Sequence, residues 1–96
     1  MITIIATIKA KEGMMDKVIE ILKEIIPKIR ESEPGLKAYI PHTVKGRKDK
    51  NTILFYEKYE NKEALDVHMA KLAKNMEKLM PFLEPGMDTK TCFEII

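Results

Sequence analysis

The sequence contains no tryptophan, a single cysteine and no apolar run that approaches the length of a membrane span. One cysteine excludes an intramolecular disulfide and a CxxC redox or zinc motif, so Cys92 is interpreted as a small buried hydrophobe in a strand. The apolar N-terminal stretch precedes the first charges and no small-residue cleavage site follows it, so no secretory signal is expected. These absences predict a cytoplasmic protein that does not associate with membranes.

An excess of charge of one sign is also lacking, because 17 basic and 15 acidic residues leave a formal net charge of +2. Such a balance does not predict a nucleic-acid surface. The basic loop at 45–50 lacks the GxxxxGK[ST] pattern of a phosphate-binding loop, and the sequence has no dinucleotide or flavin fingerprint. The strand predicted at 52–60 lacks the Gly–aromatic run of an RNA-recognition domain. Neither a nucleic-acid partner nor a nucleotide cofactor is therefore expected.

Ninety-six residues predict one domain covering 1–96. Apolar periodicity predicts a strand at 2–10, a helix at 14–33 and strands at 36–45 and 52–60. A second helix is expected from the Asn61 cap to Leu83, with a break near Asn75, before a last strand at 87–96. The β-α-β-β-α-β order predicts an α+β ferredoxin-like fold, in which an antiparallel four-stranded sheet carries both helices on one face.

Proline and apolar residues refine this prediction. Pro27 is expected to kink the first helix or end its regular part, and Pro41 places the second strand at an edge or a bulge. Both parities of the strands are apolar, with Ile4 opposed to Ile5 in the first strand. A chain of this length buries only about 60–65 % of its unfolded surface, so association would stabilise it. We expect a homodimer in which sheet packs toward sheet.

His68 is the first candidate for chemistry. At about 100° per residue it lies roughly 60° from the centre of the apolar stripe of the second helix, at the rim of the buried face. The stripe is formed by Leu65, Met69, Leu72 and Met76. His68 is interpreted either as a half-buried histidine bonded to a strand residue or a carbonyl, or as a general base, because its ordinary pKa is near 6.5.

Glu57 and His42 are the other candidates. Each shares the parity of apolar neighbours in its strand, and a carboxylate on an apolar face requires a partner. A histidine would be fixed in one tautomer by Glu57. Alternatively, Glu57 lies at a sheet edge and pairs with Lys58 or Lys62. No two of Glu57, His42 and His68 have a short ligand spacing, so no metal site is expected.

Two segments resemble the antibiotic biosynthesis monooxygenase domain family. EPGLKAYIPH at 33–42 is similar to the E-P-G-x-x-x-Y-x-x-H segment of that family. LFYEKYENKEALDVHMA at 54–70 is similar to its aromatic-Glu-x-aromatic segment, which continues through an acidic turn into A-L-x-x-H. The order and separation of the two segments also match, and the β-α-β-β-α-β frame extends the resemblance over nearly the whole chain.

The resemblance implies a dimeric α+β barrel with a pocket between sheet and helices in each chain. It also implies oxidation of a phenol- or quinol-like substrate by dioxygen without metal, flavin or nicotinamide. Carried over to this chain, His68 is the base or orienting group, Glu57 its partner and His42 a further catalytic position. Tyr39, Tyr59 and Asn75 are substrate-binding positions, and Asn75 stands near the place where many members have a second histidine. The missing tryptophan argues against haem degradation.

A non-catalytic small-molecule-binding or regulatory dimer is the alternative function, and a purely structural His68–Glu57 pair is a third. An enzyme requires His68 to face a cavity of roughly 300 Å³ or more that a ring system can enter. A structural pair would be packed without such a cavity, and a sensor would have its pocket at the subunit interface.

Overall fold

The computed structural model describes residues 1–96. Its elements are β1 (Ile2–Lys9), α1 (Met15–Ser32), β2 (Leu36–Thr43), β3 (Thr52–Tyr59), α2 (Lys62–Asn75) and β4 (Asp88–Phe93). The strands form one antiparallel sheet in the order β2-β3-β1-β4. The predicted α+β ferredoxin-like order is therefore confirmed.

The core lies between α1 and one face of the central strands. Strand side chains alternate across a sheet, so every second residue of β1 and β3 points toward the helices. The buried residues follow that rule and meet the apolar face of α1; the main ones are Ile4, Ala6, Ile8, Val18, Leu22, Ile25, Ile29, Ile53 and Phe55.

The two helices differ from the sequence prediction at specific points. Pro27 lies inside α1 without ending it, because Ile25, Ile26 and Ile29 on both sides of the proline remain buried against the sheet. The expected break at Asn75 is found, but the chain beyond it forms turns and a short 3₁₀ helix at Met80–Phe82 rather than further α-helix. Pro81 has no N–H to donate to an α-helical ladder.

A bulge in β2 reverses its parity. The register with β3 shifts between Leu36 and Ala38, so Leu36 and Tyr39 are both buried. From there on His42 pairs with Leu54, on the face away from the helices. One extra residue moves every later side chain to the other face. His42 therefore shares the face of Ala38 and Ile40 but not that of Leu36, which lies before the bulge.

The face of the sheet away from the helices carries an apolar row across three strands. Tyr56 of β3 pairs with Ile40 of β2 on one side and with Ile5 of β1 on the other. Ile40 is 40 % exposed. β4 ends at Phe93, earlier than predicted, and Ile95 and Ile96 beyond it are fully exposed. Neither helix combines the length and apolarity that crossing a bilayer requires.

Candidate active site

His68 is held at the centre of the buried face of α2. The Asn61 side chain accepts the Ala64 N–H at 2.9 Å and starts the helix, so His68 arrives at the second turn. It is the only fully buried residue of α2, at 2 % exposure. The predicted rim position is wrong, because Met69, expected in the stripe, is 56 % exposed and His68 takes the inward position.

Two buried carboxylates face the imidazole from opposite sides. His68 Nδ1 lies 3.1 and 3.3 Å from the two carboxylate oxygens of Glu33. His68 Nε2 lies 3.9 Å from Glu57 Oε1, which is beyond hydrogen-bond distance. The sequence prediction is therefore correct that Glu57 and His68 are neighbours, but the hydrogen-bonded partner is Glu33. The alternative lysine pairs of Glu57 are not formed, because Lys58 pairs with Glu94 and Lys62 with Asp66.

Glu57 is bound by a tyrosine instead. The Tyr59 hydroxyl donates to Glu57 Oε1 at 2.5 Å, the short distance typical of a charge-assisted bond. Burial raises the pKa of the Glu57 carboxyl to about 7, although the Tyr59 hydrogen bond lowers it, and the nearby Glu33 charge raises it further. At neutral pH, both the protonated and the ionised form of Glu57 are therefore populated. Burial is also the main cause that raises the pKa of Tyr59.

Aromatic rings enclose the imidazole. Tyr39 contacts it edge-on, with ring centroids 5.0 Å apart, and Tyr59 lies at 5.3 Å in a tilted arrangement. Tyr39 also stacks on Phe55 at 5.4 Å. Burial raises the pKa of Tyr39, and the two carboxylates add to the effect. The cluster of Glu33, Tyr39, Glu57, Tyr59 and His68, here called the acid–imidazole cluster, thus brings together four of the six predicted site residues.

The other two predicted residues lie elsewhere. His42 is exposed, its Nδ1 lies 2.9 Å from the Ile40 carbonyl oxygen, and it lines an open groove of about 390 Å³ beside Pro27 and Pro41. Asn75 lines a second open groove, of about 350 Å³, between α1 and the end of α2. No member of the acid–imidazole cluster lines either groove. The cavity expected beside His68 is therefore neither of these two.

Glu33 is the residue that sequence reasoning missed. In the sequence it begins a Glu-Pro-Gly stretch that is expected to stop the first helix, and in the structure it is the residue at the end of α1. The sequence did contain a signal for Glu33, because this glutamate is the first residue of the segment at 33–42 that resembles the family. No set of three or more His, Cys, Asp or Glu side chains is arranged to hold a metal ion.

Comparison with known proteins assigns the family. The sequence model described as antibiotic biosynthesis monooxygenase matches residues 1–73 of the 96. The chain belongs to the antibiotic biosynthesis monooxygenase family. The family assignment covers β1 to nearly the end of α2 and so includes every residue of the acid–imidazole cluster. Comparison with curated protein sequences gave no match.

Solved structures share the antibiotic biosynthesis monooxygenase fold. A protein from Shewanella oneidensis is 29 % identical, with a TM-score of 0.75 over 95 % of this chain and 87 % of its own. A structure titled antibiotic biosynthesis monooxygenase is 23 % identical, with a TM-score of 0.77 over all of both chains. A conserved protein from Methanosarcina mazei is 15 % identical, with a TM-score of 0.77 over 95 % of this chain and 89 % of its own.

Proposed function

We propose that the protein is a monooxygenase that oxidises a phenol-, anthrone- or quinol-like aromatic molecule with dioxygen and without metal, flavin or nicotinamide. The observation that carries this proposal is the acid–imidazole cluster in a chain of the antibiotic biosynthesis monooxygenase family. Such substrates supply their own electrons once they are deprotonated, so the protein must provide a base, proton acceptors and a dry environment.

In the proposed reaction, His68 Nε2 removes the proton of the substrate and leaves an electron-rich anion. This anion reduces dioxygen; for an anthrone, the ring CH₂ carbon loses both hydrogens and gains one oxygen as a carbonyl, and the second oxygen leaves as water. Glu57 lies 3.9 Å from Nε2 and has a pKa of about 7, so it is suited to accept or return a proton during the cycle. Tyr39 and Tyr59 provide aromatic surface beside the imidazole.

Access to His68 requires α2 to move, because His68 is 2 % exposed. Three features support such a movement. The helix buries no residue fully except His68, its Val67 and Met69 side chains point to solvent, and Leu65 and Leu72 are only half-buried. Elements held by few buried apolar contacts are those that open at low free-energy cost. We therefore propose that the substrate enters between α2 and the sheet.

We further propose that residues 1–96 form one domain that pairs with a second copy. The apolar row of Ile40, Tyr56 and Ile5 lies on the sheet face that neither helix covers. Leu54 and Cys92, each half-buried, extend the row on the same face. An apolar sheet surface of this kind is expected to pack against its symmetry mate.

Turnover with labelled dioxygen tests the activity. Anthrones and hydroquinones are incubated under ¹⁸O₂, and oxygen consumption and label in the product are measured for the wild type, His68→Asn and His42→Asn. Asparagine keeps a donor near the position of Nδ1 and removes the base at Nε2. We expect a loss of at least about a hundredfold in kcat for His68→Asn, the lower range of general-base effects, and no change for His42→Asn.

Label that enters the product equally in both variants would refute His68 as the base. If no substrate consumes oxygen but ring compounds bind with a measurable heat, the monooxygenase proposal fails and the alternative of a non-catalytic ligand-binding or regulatory dimer replaces it. Absence of both turnover and binding, together with a lower melting temperature of His68→Asn, would leave a structural cluster.

A further inference from the structure

The turn after α1 fixes the position of Glu33. Its own carbonyl oxygen accepts the Leu36 N–H at 3.0 Å, and the Gly35 carbonyl oxygen accepts the Glu60 N–H at 2.9 Å. The turn is thus tied at one point within itself and at a second point to the end of β3. Pro34 further restricts its backbone. The Glu33 carboxylate, 3 % exposed, therefore enters the interior from a restrained segment.

α2 packs directly against this turn. A Cβ atom placed on Gly35 would lie 2.5 Å from Ala64 Cβ, closer than real Cβ contacts, so only glycine permits the observed approach. Ala64 is four residues before His68, and residues four apart share one helix face. The contact between Gly35 and Ala64 therefore sets the distance at which the His68 ring meets the Glu33 carboxylate.

The hydrogen bonds of the imidazole are unequal. Nδ1 faces both oxygens of Glu33 at 3.1 and 3.3 Å, and because a carboxylate that carries no proton can only accept, this geometry favours a proton on Nδ1. Nε2 has no hydrogen-bonded partner, and the nearest carboxylate, Glu57, lies at 3.9 Å and instead accepts the Tyr59 hydroxyl. In the neutral ring the nitrogen that lacks the proton is the basic one.

We propose that Glu33 is the positioning residue that holds His68 in its Nδ1–H tautomer and leaves Nε2 as the basic atom. The catalytic role of this tautomer rests on the proposed function, but the tautomer itself can be measured in the protein without substrate. Glu57 has a separate part: it exchanges protons beside Nε2 and does not orient the ring.

The tautomer is measured by long-range ¹H–¹⁵N correlation spectra of uniformly ¹⁵N-labelled protein at a pH at which the imidazoles are neutral. The protein has two histidines, and His42→Asn assigns the signals of His68 by difference. We expect a protonated-type shift for Nδ1 and an unprotonated-type shift for Nε2. An Nε2–H tautomer in the wild type would overturn the proposal without any variant.

Two matched variants separate the carboxylates. Glu33→Gln removes the charge that fixes the ring, and we expect a mixture of both tautomers together with a fall in kcat of at least about tenfold. Glu57→Gln makes the same chemical change on the other side of the imidazole, and we expect the tautomer to be unchanged. A tautomer shift in Glu57→Gln and not in Glu33→Gln would assign the positioning role to Glu57.

The outcome is distinguishable from failure of the proposed function. Suppose that the ring is the Nδ1–H tautomer, that this depends on Glu33, and that the protein oxidises no substrate. The positioning role of Glu33 would then stand, and the monooxygenase activity would be refuted. If turnover requires His68 but the wild-type ring is the Nε2–H tautomer, the monooxygenase activity is retained and the positioning role of Glu33 is refuted. If Glu33→Gln does not fold, the wild-type spectrum together with Glu57→Gln still decides the assignment.

Discussion

Replacement of Glu57 by glutamine tests the electrostatics of the acid–imidazole cluster. Burial raises the pKa of Glu57 in the folded protein from 4.5 to about 7. The folded state therefore binds a proton more tightly than the unfolded state between these two values. The stabilisation by the neutral carboxyl is fully present below pH 4.5 and is lost as the pH rises through 7. The full difference amounts to about 3 kcal/mol in the free energy of unfolding.

Glutamine cannot ionise, yet its side-chain oxygen can still accept the Tyr59 hydroxyl. We therefore expect Glu57→Gln to lack this part of the pH dependence, so that its stability relative to the wild type improves by about 3 kcal/mol between pH 4.5 and pH 8.5. The measurement is urea unfolding at fixed protein concentration across this range. The charged and titratable groups that face Glu57, namely Glu33, Tyr39, Tyr59 and His68, are present in both proteins, so the difference isolates one carboxyl.

Glu12→Gln is the matched control. Glu12 is exposed, and its hydrogen bond with Lys50 lowers its pKa below the ordinary value, so it is ionised over most of this range. Its replacement should leave the slope of stability against pH unchanged above pH 5. If wild type and Glu57→Gln lost stability in parallel from pH 4.5 to 8.5, Glu57 would not be a buried carboxyl with a raised pKa, and its place in the proton chemistry would be refuted.

Two further predictions concern packing. Gly35→Ala should lower the free energy of unfolding by about 1–3 kcal/mol, the usual cost of overpacking, because its Cβ would meet Ala64 Cβ at 2.5 Å. Ala64→Gly added to it should restore part of that loss in urea unfolding, and strict additivity of the two changes would contradict the steric argument. If two copies pair through their sheet faces as proposed, Ile40→Lys should shift the protein from dimer to monomer in light scattering, because it puts a charge into the apolar row. Val67→Lys, at a residue 46 % exposed on α2, should not, and dimers in both variants would refute a sheet-to-sheet interface.

The fold and two of the five cluster residues, Glu57 and His68, could be predicted from the sequence for local reasons, and Tyr39 and Tyr59 from the family resemblance. Period-two and period-3.6 apolar patterns fixed the element order, and the turn residues Asn61 and Gly35 lie where helices begin and end. Glu57 and His68 could be recognised because each is a polar residue in an otherwise apolar pattern. Such a signal depends only on neighbours within a few residues, so it requires no knowledge of tertiary contacts, whereas the inward position of His68 does.

The burial of Glu33 and the sheet face of His42 could not be predicted, because both depend on tertiary contacts. Glu33 follows a helix and precedes Pro34, where a carboxylate is ordinarily exposed, and its burial results from α2 packing on Gly35. The face of His42 depended on a one-residue bulge between Leu36 and Ala38, and alternation alone gives no sign of it. Pro41 predicted an edge or a bulge; β2 is indeed an edge strand, whereas the bulge lies next to the turn and not at Pro41.

The position of His68 has a consequence for how any variant of it must be interpreted. His68 is the one buried residue of α2, and its Nδ1 contacts Glu33, so this contact helps to hold α2 against the rest of the fold. In the proposed mechanism the same imidazole therefore helps to hold the helix through Nδ1 and acts as the base through Nε2. A His68→Ala protein would lose both properties, and its inactivity would not distinguish them. His68→Asn keeps a donor toward Glu33 and removes Nε2, so an inactive but normally stable His68→Asn protein assigns the chemistry to that nitrogen.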